Sequence, residues 1–304
     1  MLFYIFYKGG YIVNLFLQQL INGLNVGSIY ALIAIGYTMV YGIIKLINFA
    51  HGEIMMFGAY FAFIATTSFQ LPVWAVLLSS MVIMAVIGVV IEFVAYRPLR
   101  NAPRLSALIT AIGMSLFLQN LALIIFKPDP KVMPKIFPET IYRLGEIEIS
   151  STTLITIGLS LFFMVLLDFY IRKTKQGRAM RAVSEDKDAA ILMGINVNRT
   201  ISLTFAVGSA LGALGGVLYS VAYIQVYPTM GVMPGLKAFI AAVLGGIGII
   251  PGAMLGGFII GMVETMTKAY LSTTWADAIV FAILIIVLLF KPTGILGKNT
   301  REKV

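Results

Sequence analysis

The sequence predicts an all-α, polytopic membrane protein, and three observations support that fold class. The 304 residues are 60% hydrophobic and only 12% charged, with a mean hydropathy of +0.96. A soluble domain of this length could not bury so much apolar surface. The apolar runs are also long and continuous, as expected for transmembrane helices of about 20 residues, whereas the strands of a β-barrel would be short and alternating.

Apolar runs bounded by charges and prolines give nine candidate spans, so we expect eight or nine transmembrane helices in a single domain over residues 1–304. The candidate spans are 15–42, 48–70, 72–96, 105–126, 152–171, 200–224, 235–249, 252–271 and 275–291. The seventh is short and rich in glycine, which leaves open whether it is a full span or a re-entrant element. Glycines spaced as GxxxG recur in several spans and predict close helix packing.

The basic residues predict the orientation in the membrane. Residues 97–104, 172–199 and 291–304 are rich in Lys and Arg, whereas the loop 127–150 balances four basic with four acidic residues. Since positive loops stay in the cytoplasm, we expect the loop 172–199 and the C-terminus inside, and the loop 127–150 and the N-terminus outside. The net charge of +9 follows from this topology, so no nucleic-acid partner is expected.

The sequence offers no chemistry for an enzyme. It has no cysteine and one histidine, which excludes disulfides and Cys-ligated metals. The spans contain no Ser/His pair and no carboxylate pair, so we expect neither catalytic residues, nor a metal, nor a cofactor. The Gly297-Lys298-Asn299 stretch lacks the pattern of a nucleotide-binding loop, so any ATP-driven role requires a partner.

Two groups of polar residues are candidates for lining a solute pathway. Gln18, Asn22 and Asn25 form an amide stripe on the first span, which either lines the pathway or bonds to a neighbouring helix. Asn48, His51 and Glu53 lie at the start of the second span. His51 and Glu53 point about 200° apart on a helix, so a metal pair is excluded and a structural role is favoured for His51. Asn48 is expected near a capped helix start.

Three further acidic residues bear on ion coupling. Glu264 is the acidic residue most deeply placed within a span. Glu92 and Asp168 lie close in sequence to Arg97 and Arg172, so both are expected at the cytoplasmic interface. A single mid-span acid is weak support for a proton- or sodium-coupled transporter.

The stretch "SEDKDAAILMGINVNR" (184–199) predicts a short helix outside the membrane. Ser184 is expected as its N-cap, Glu185 and Asp186 in its first turn, and Gly194 after its end. Its Ile-Leu-Met patch predicts docking in the groove of a partner, with a helix lying on the membrane surface as the alternative.

Asp188-Ala189-Ala190, followed by three residues and Gly194, resembles the E-A-A-x-x-x-G loop of ABC importer permeases, with Asp in place of Glu. The Leu-Pro that often follows that loop is absent, since Thr204 follows Leu203. Five ordered segments extend the resemblance to the branched-chain amino-acid permease family, H-type inner-membrane subunit: "GLNVGSIYALIAIGYTMVYG" (23–42), "INFAHGEIMMFGAY" (47–60), "YRPLRNAPRLSALITAIGMS" (96–115), "GRAMRAVSEDKDAAILMGINV" (177–197) and "KPTGILG" (291–297).

This resemblance implies a permease subunit in a bacterial inner membrane that imports branched-chain amino acids. It implies a second permease subunit, two cytoplasmic ATPases and an external substrate-binding protein as partners. Coupling to the ATPases is then expected from seven residues: Glu185, Asp186, Asp188, Ala189, Ala190, Met193 and Gly194. Uptake of urea or a short amide is the alternative within the family, and an ion-coupled secondary transporter is the alternative outside it.

Overall fold

The chain is an α-helical bundle with two very short antiparallel sheets. The computed structural model describes residues 2–100 and 102–297, with the side chains of residues 2–12 and 104 outside that description. The helices are α1 (Leu2–Ile44), α2 (His51–Thr67), α3 (Val73–Ile91), α4 (Arg104–Phe126), α5 (Ser151–Lys173), α6 (Lys175–Glu185), α7 (Lys187–Leu192), α8 (Val197–Tyr223), α9 (Val232–Gly245), α10 (Ile250–Tyr270) and α11 (Thr273–Phe290). A π-helical turn (Glu92–Tyr96) and a 3-10 turn (Arg97–Leu99) extend α3.

Seven of the described helices are long and apolar enough to cross a membrane, which confirms the polytopic fold class. They are α1, α3, α4, α5, α8, α10 and α11. Helices α1 and α8 form the buried centre, whereas α4, α5 and α11 expose large apolar side chains such as Ile124 and Phe290. A helix that is apolar all round and exposed in this way has lipid or another membrane subunit as its solvent.

Glycines allow the central helices to pack at backbone distance. A Cβ atom on Gly27 of α1 would lie 2.9 Å from the Cα of Phe258 on α10, and one on Gly261 would collide with Gly27. The GxxxG pairs of the sequence therefore serve close helix packing, as expected for small residues in membrane helices.

Helices α2 and α9 are too short to span the membrane, and their first residues meet inside the bundle. They contain 17 and 14 residues, or about 25 and 21 Å at a rise of about 1.5 Å per residue. A Cβ on Gly235 of α9 would lie 2.9 Å from the Cα of Gly52 on α2. The seventh candidate span of the sequence is thus a short helix, and so is the second, which the sequence had predicted as a full span over 48–70.

The depth at which these two helices begin follows from His51, the first residue of α2. Its ring packs against Gly36 of α1 and Gly212 of α8, and Gly212 lies about 22 Å along α8 from Val197 and about 17 Å from Tyr223. The start of α2 is therefore near the middle of the bundle, and so is the start of α9 beside it. We call α2 and α9 the half-helices.

The two half-helices run to opposite ends of the bundle. Helix α9 ends at Gly245, where backbone N–H groups of the C-terminal segment cap it: Ile295 donates to Leu244 at 2.8 Å and Leu296 to Gly245 at 3.1 Å. The segment 291–297 is thereby fixed to the end of α9. The chain from α2 leads instead through residues 68–72 into α3, at the opposite end from the turn that extends α3.

Four short strands, which the sequence analysis did not predict, lie at the end of the bundle where α1 enters. Strands β2 (Ile141–Leu144) and β3 (Ile147–Ser150) form a hairpin, and β1 (Lys131–Val132) pairs with β4 (Gln225–Val226), all antiparallel. Asn14 of α1 donates to Glu146 in the hairpin turn at 2.7 Å. The start of α1 and the loop 127–150 therefore share one side of the molecule, as the span parity predicted.

Two buried carboxylates are neutralised by basic side chains. Glu264 of α10 accepts hydrogen bonds from Tyr30 and Lys237, both at 2.8 Å, and from Lys268. Glu92 pairs with Arg100 and is fully buried. Asp168 pairs with Arg172 at 2.8 Å and is partly exposed. Since Glu264 is paired with two lysines, its position gives no support to a free ion-coupling acid.

Lys237 is the buried cation that links α9 to α10 and, through Asp277 at 2.7 Å, to α11. Lys237→Met is expected to destabilise the protein by about 3 kcal/mol, because two carboxylates lose a buried partner. The apparent melting temperature of the purified protein should fall by several degrees. Lys135→Met, which breaks an exposed pair with Glu139, should cost less than about 1 kcal/mol. Equal melting temperatures for the two variants would contradict a structural role for Lys237.

Candidate functional site

A cavity of about 150 Å³ lies where the two half-helices begin. Gly52 and Glu53 of α2 form one wall, and Gly231, Val232 and Gly235 at the start of α9 form another. Helix α4 supplies a third wall through one face, since Ile112, Ser115, Leu116 and Gln119 follow helical spacing. Ile112 and Leu116 are about half exposed, so the cavity opens to the surface of the chain along α4.

Glu53 is the charged residue of this cavity. Its side chain is almost fully buried, and its Oε1 accepts hydrogen bonds from Gln119 at 2.9 Å and from Ser115 at 3.1 Å. Its Oε2 has no hydrogen-bond partner among the described residues. A buried carboxylate oxygen without a partner is costly, so a ligand in the cavity that donated a hydrogen bond to this carboxyl group would lower that cost.

Asn48 and His51 do not border the cavity. Asn48 accepts a hydrogen bond from Tyr96 at 2.8 Å, and the ring of His51 packs edge-on against Tyr37 with centroids 4.6 Å apart. The expected cap by Asn48 is wrong, since α2 begins after Ala50 without a side-chain cap. Both residues are buried in helix packing, which is the structural role that the sequence favoured for His51.

The residues of the amide stripe of α1 make different contacts, although Gln18 also donates a hydrogen bond to Asn22 at 3.4 Å. Gln18 exchanges two hydrogen bonds of 2.9 Å with the backbone of Glu148 on β3, so it anchors the hairpin. Asn22 bonds Gln19 at 3.3 Å and borders an open crevice beside Lys268 of α10. Asn25 has a buried Oδ1 with no partner among the described residues. The structure therefore gives Gln18 a structural role and leaves Asn22 beside an opening on the strand side of the bundle.

The predicted helix over residues 184–193 is two helices. Ser184 is not its N-cap, because its hydroxyl donates back to Arg181 inside α6 at 2.7 Å. Asp186 caps α7 by accepting from the backbone N–H groups of Asp188 at 2.8 Å and Ala189 at 3.0 Å. The cap is Asp186 and not Ser184 because Glu185 is the last residue of α6. The backbone becomes extended only at residue 186, which is where a new helix can be capped.

Gly194 ends α7 as predicted. Its φ of +78° is the left-handed conformation that glycine adopts without strain. Gly194 donates to Ile191 at 2.9 Å and Ile195 donates to Ala190 at 3.0 Å, which is the hydrogen-bond pattern of a Schellman motif. The glycine therefore turns the chain sharply from α7 into α8.

Helix α7 buries one residue and exposes an apolar patch. Ala190 is only 3% exposed and packs into its own chain, so it is not the outward contact that its place in the motif suggested. Leu192 and Met193 are 88% and 83% exposed, and Ile191 is also exposed. Asp188 and Ala189 face outward as well. We call Ile191, Leu192 and Met193 the α7 patch.

A larger cavity of about 660 Å³ opens between α6, the end of α1 and the residues 247–250 that connect α9 to α10. Lys45, Arg181 and Glu185 contribute charges to its walls. This cavity lies on the same side as the C-terminal segment, whose residues 295 and 296 bond to the end of α9. The α7 patch and the second cavity thus share the end of the bundle opposite the strands.

The comparisons with known proteins extend the resemblance to the whole chain. Residues 19–288 match the family described as "Branched-chain amino acid transport system / permease component". The chain is 48% identical over 302 residues to the high-affinity branched-chain amino acid transport system permease protein LivH of Escherichia coli, with 95% of this chain and 98% of the relative covered.

Two further relatives show the spread of the family. The permease protein BraD of Pseudomonas aeruginosa is 47% identical over 302 residues, again with 95% of this chain and 98% of the relative covered. The probable permease protein LivH of Methanocaldococcus jannaschii is 28% identical over 293 residues, with 90% of each chain covered. No solved structure matches the chain. From the match over residues 19–288 and these identities, the chain belongs to the family of permease components of branched-chain amino acid transport systems.

Proposed function

We propose that this chain is the transmembrane permease subunit of an ATP-driven importer of branched-chain amino acids. The observation that carries the proposal is identity of 47–48% over 95% of the chain to relatives named for that transport. The same names favour branched-chain amino acids over urea or a short amide. The proposed site of action is the inner membrane of a bacterial cell, and the chain itself is a transport subunit and not an enzyme.

Four partner subunits complete the proposed assembly. A second permease subunit would pack against apolar faces such as that of α4, and two ATPases would supply the hydrolysis. A binding protein would deliver the amino acid from outside. The exposed apolar side chains of α4 and α11 support a membrane partner, because such faces require either lipid or another helix.

Coupling to an ATPase would pass through α7. The α7 patch is apolar, exposed and rigidly capped at both ends by Asp186 and Gly194. A short helix with these features suits docking in a groove of another protein. Because α7 leads into α8 within five residues, and α8 contacts His51 at the start of α2, a displacement of α7 would reach the start of α2 through one continuous helix. The next residue, Gly52, lines the cavity between the half-helices.

Reconstituted transport tests the proposed function itself. Proteoliposomes that contain this chain together with its second permease and both ATPases should take up leucine when ATP is inside and the loaded binding protein is outside. Proteoliposomes that contain this chain alone should show no leucine uptake under a proton or sodium gradient. Uptake by the isolated chain would contradict the ABC importer and restore the ion-coupled alternative.

Cysteine labelling tests the proposed orientation of the chain in the membrane. Because the chain has no cysteine, single cysteines at Thr140 and Ser184 report separate positions. In whole cells, a membrane-impermeant maleimide should label T140C, since the loop 127–150 is proposed to be outside. It should label S184C only after the membrane is opened. Labelling of S184C in intact cells would reverse the proposed topology.

A charge in the α7 patch tests whether an ATPase docks there. Leu192→Glu places a charge in the centre of the patch, so the purified complex should lose its ATPase subunits or lose stimulation of ATP hydrolysis by the loaded binding protein. Leu144→Glu is the matched control, because Leu144 is 75% exposed on the hairpin at the opposite end. Both variants should insert normally. Full stimulation and normal subunit content in L192E would show that α7 is only a surface helix.

A further inference from the structure

We infer that the cavity between the half-helices binds the transported amino acid during its passage, with Glu53 holding its ammonium group. The inference rests on the proposed function and adds the site and the groups that recognise the substrate. We expect the ligand to be a zwitterion with an aliphatic side chain. Its ammonium group, its carboxylate and its side chain each have a counterpart in the cavity walls.

Glu53 differs from the other buried glutamates because it has no basic partner among the described residues. Three glutamates are at most 2% exposed in the described part of the chain: Glu53, Glu92 and Glu264. Glu92 pairs with Arg100, and Glu264 pairs with Lys237 and Lys268. No basic side chain of the described residues lies within ion-pair distance of Glu53, and its hydrogen-bond donors Ser115 and Gln119 are neutral. Buried charges in proteins are usually paired, and Glu53 is the one of the three without a basic partner among the described residues.

One oxygen of the Glu53 carboxylate, Oε2, has no hydrogen-bond partner among the described residues. Ser115 and Gln119 both bind the other oxygen, Oε1, and orient the carboxyl group. Glu53 is itself part of the cavity wall. An ammonium group in the cavity would donate a charge-assisted hydrogen bond to this carboxyl group. Such a ligand offsets the desolvation of Glu53 only while it is bound.

The start of α9 forms another wall of the cavity. The first turn of α9 contains no acidic residue, whereas α2 has Glu53 in its own first turn. The start of α9 therefore retains the partial positive charge of a helix N-terminus. Gly231 and Val232 bring this end to the cavity. A substrate carboxylate would lie there, as it does at interrupted helices in other transporters.

Apart from Tyr37, the remaining wall is apolar. Phe49, Ile112, Leu116 and Leu236 line the cavity, and they leave an aliphatic side chain as the group that fits against them without stranding a polar atom. Urea would leave both Glu53 and the start of α9 without a charged partner. The site therefore favours an aliphatic amino acid over a small neutral amide.

The experiment compares wild type, Glu53→Gln and Glu53→Asp in proteoliposomes of the full complex with the leucine-loaded binding protein. We expect E53Q to lower leucine uptake per ATP hydrolysed by about tenfold or more, because a hydrogen bond to a charged group contributes about 1.5–3 kcal/mol. Stimulated ATP hydrolysis should persist, and E53D should restore part of the uptake. Glu139→Gln on the outer loop is the matched control and should leave the ratio unchanged.

The outcomes separate the two proposals. An unchanged ratio in E53Q overturns the inference while leaving the proposed function intact. Absence of leucine uptake by the wild-type complex overturns the proposed function instead.

A second measurement decides the inference even if E53Q fails to assemble. Ser115→Cys places a thiol beside Glu53 in a chain that otherwise has none. A cationic aminoethyl methanethiosulfonate should modify S115C about tenfold faster than the anionic sulfonatoethyl reagent, relative to the same pair of reagents on T140C. Leucine delivered by the binding protein should slow the modification. Equal relative rates, or no protection by leucine, would overturn the inference.

Discussion

The arrangement depends on a backbone contact between Gly52 of α2 and Gly231 and Gly235 of α9. Two helices can begin side by side in the middle of the bundle only where no side chain separates them. A Cβ on Gly235 would lie 2.9 Å from the Cα of Gly52, and one on Gly231 would collide with the carbonyl of Gly52. Interrupted helices at membrane depth are tolerated where the broken backbone is enclosed in protein or borders a cavity. The first cavity, its unpaired carboxylate and its apolar wall all follow from that contact.

The surrounding helices fix this contact in place. Helix α1 packs along α10 through glycines, and the buried cluster of Glu264, Lys237 and Lys268 holds α9 to α10. Helix α8 passes the ring of His51 at one level and reaches α7 at its beginning. The described part of the bundle therefore combines a closely packed centre, a cavity beside it and the α7 patch, which lies just before the start of α8.

The sequence was sufficient for the features that depend on local pattern. Long apolar runs predicted the membrane fold, and Gly194 predicted the end of α7, because only a residue tolerant of positive φ suits that turn. The N-cap of α7 was assigned to Ser184 instead of Asp186, because both residues cap well and only the structure shows where α6 stops. Hydropathy predicts a full-length second span over 48–70, because it counts apolar residues and does not detect a helix start inside the membrane.

The cavity could be predicted only in part. Glu53 was a candidate from the sequence because it lies with His51 at the start of the second span, whereas Ser115 and Gln119 were not candidates. Their spacing of four residues on α4, with Ile112 and Leu116 on the same face, was the available signal. This spacing identifies one face of α4, but the sequence does not show which helix that face contacts. Asn48 and His51 were grouped with Glu53 by sequence proximity, although the turn of the helix directs them into packing. Long-range pairing, such as that of Lys237 with Glu264, has no local pattern at all.

A cryo-electron microscopy structure of the assembled transporter in lipid nanodiscs, with leucine trapped in the permease, would show where the half-helices begin and where the substrate binds. We expect α2 and α9 both to begin near the middle of the bilayer, at Gly52 and Gly231. We also expect the leucine nitrogen to lie at about 3 Å from the carboxylate of Glu53. A continuous helix across the bilayer at either position, or leucine bound away from Glu53, would contradict these expectations.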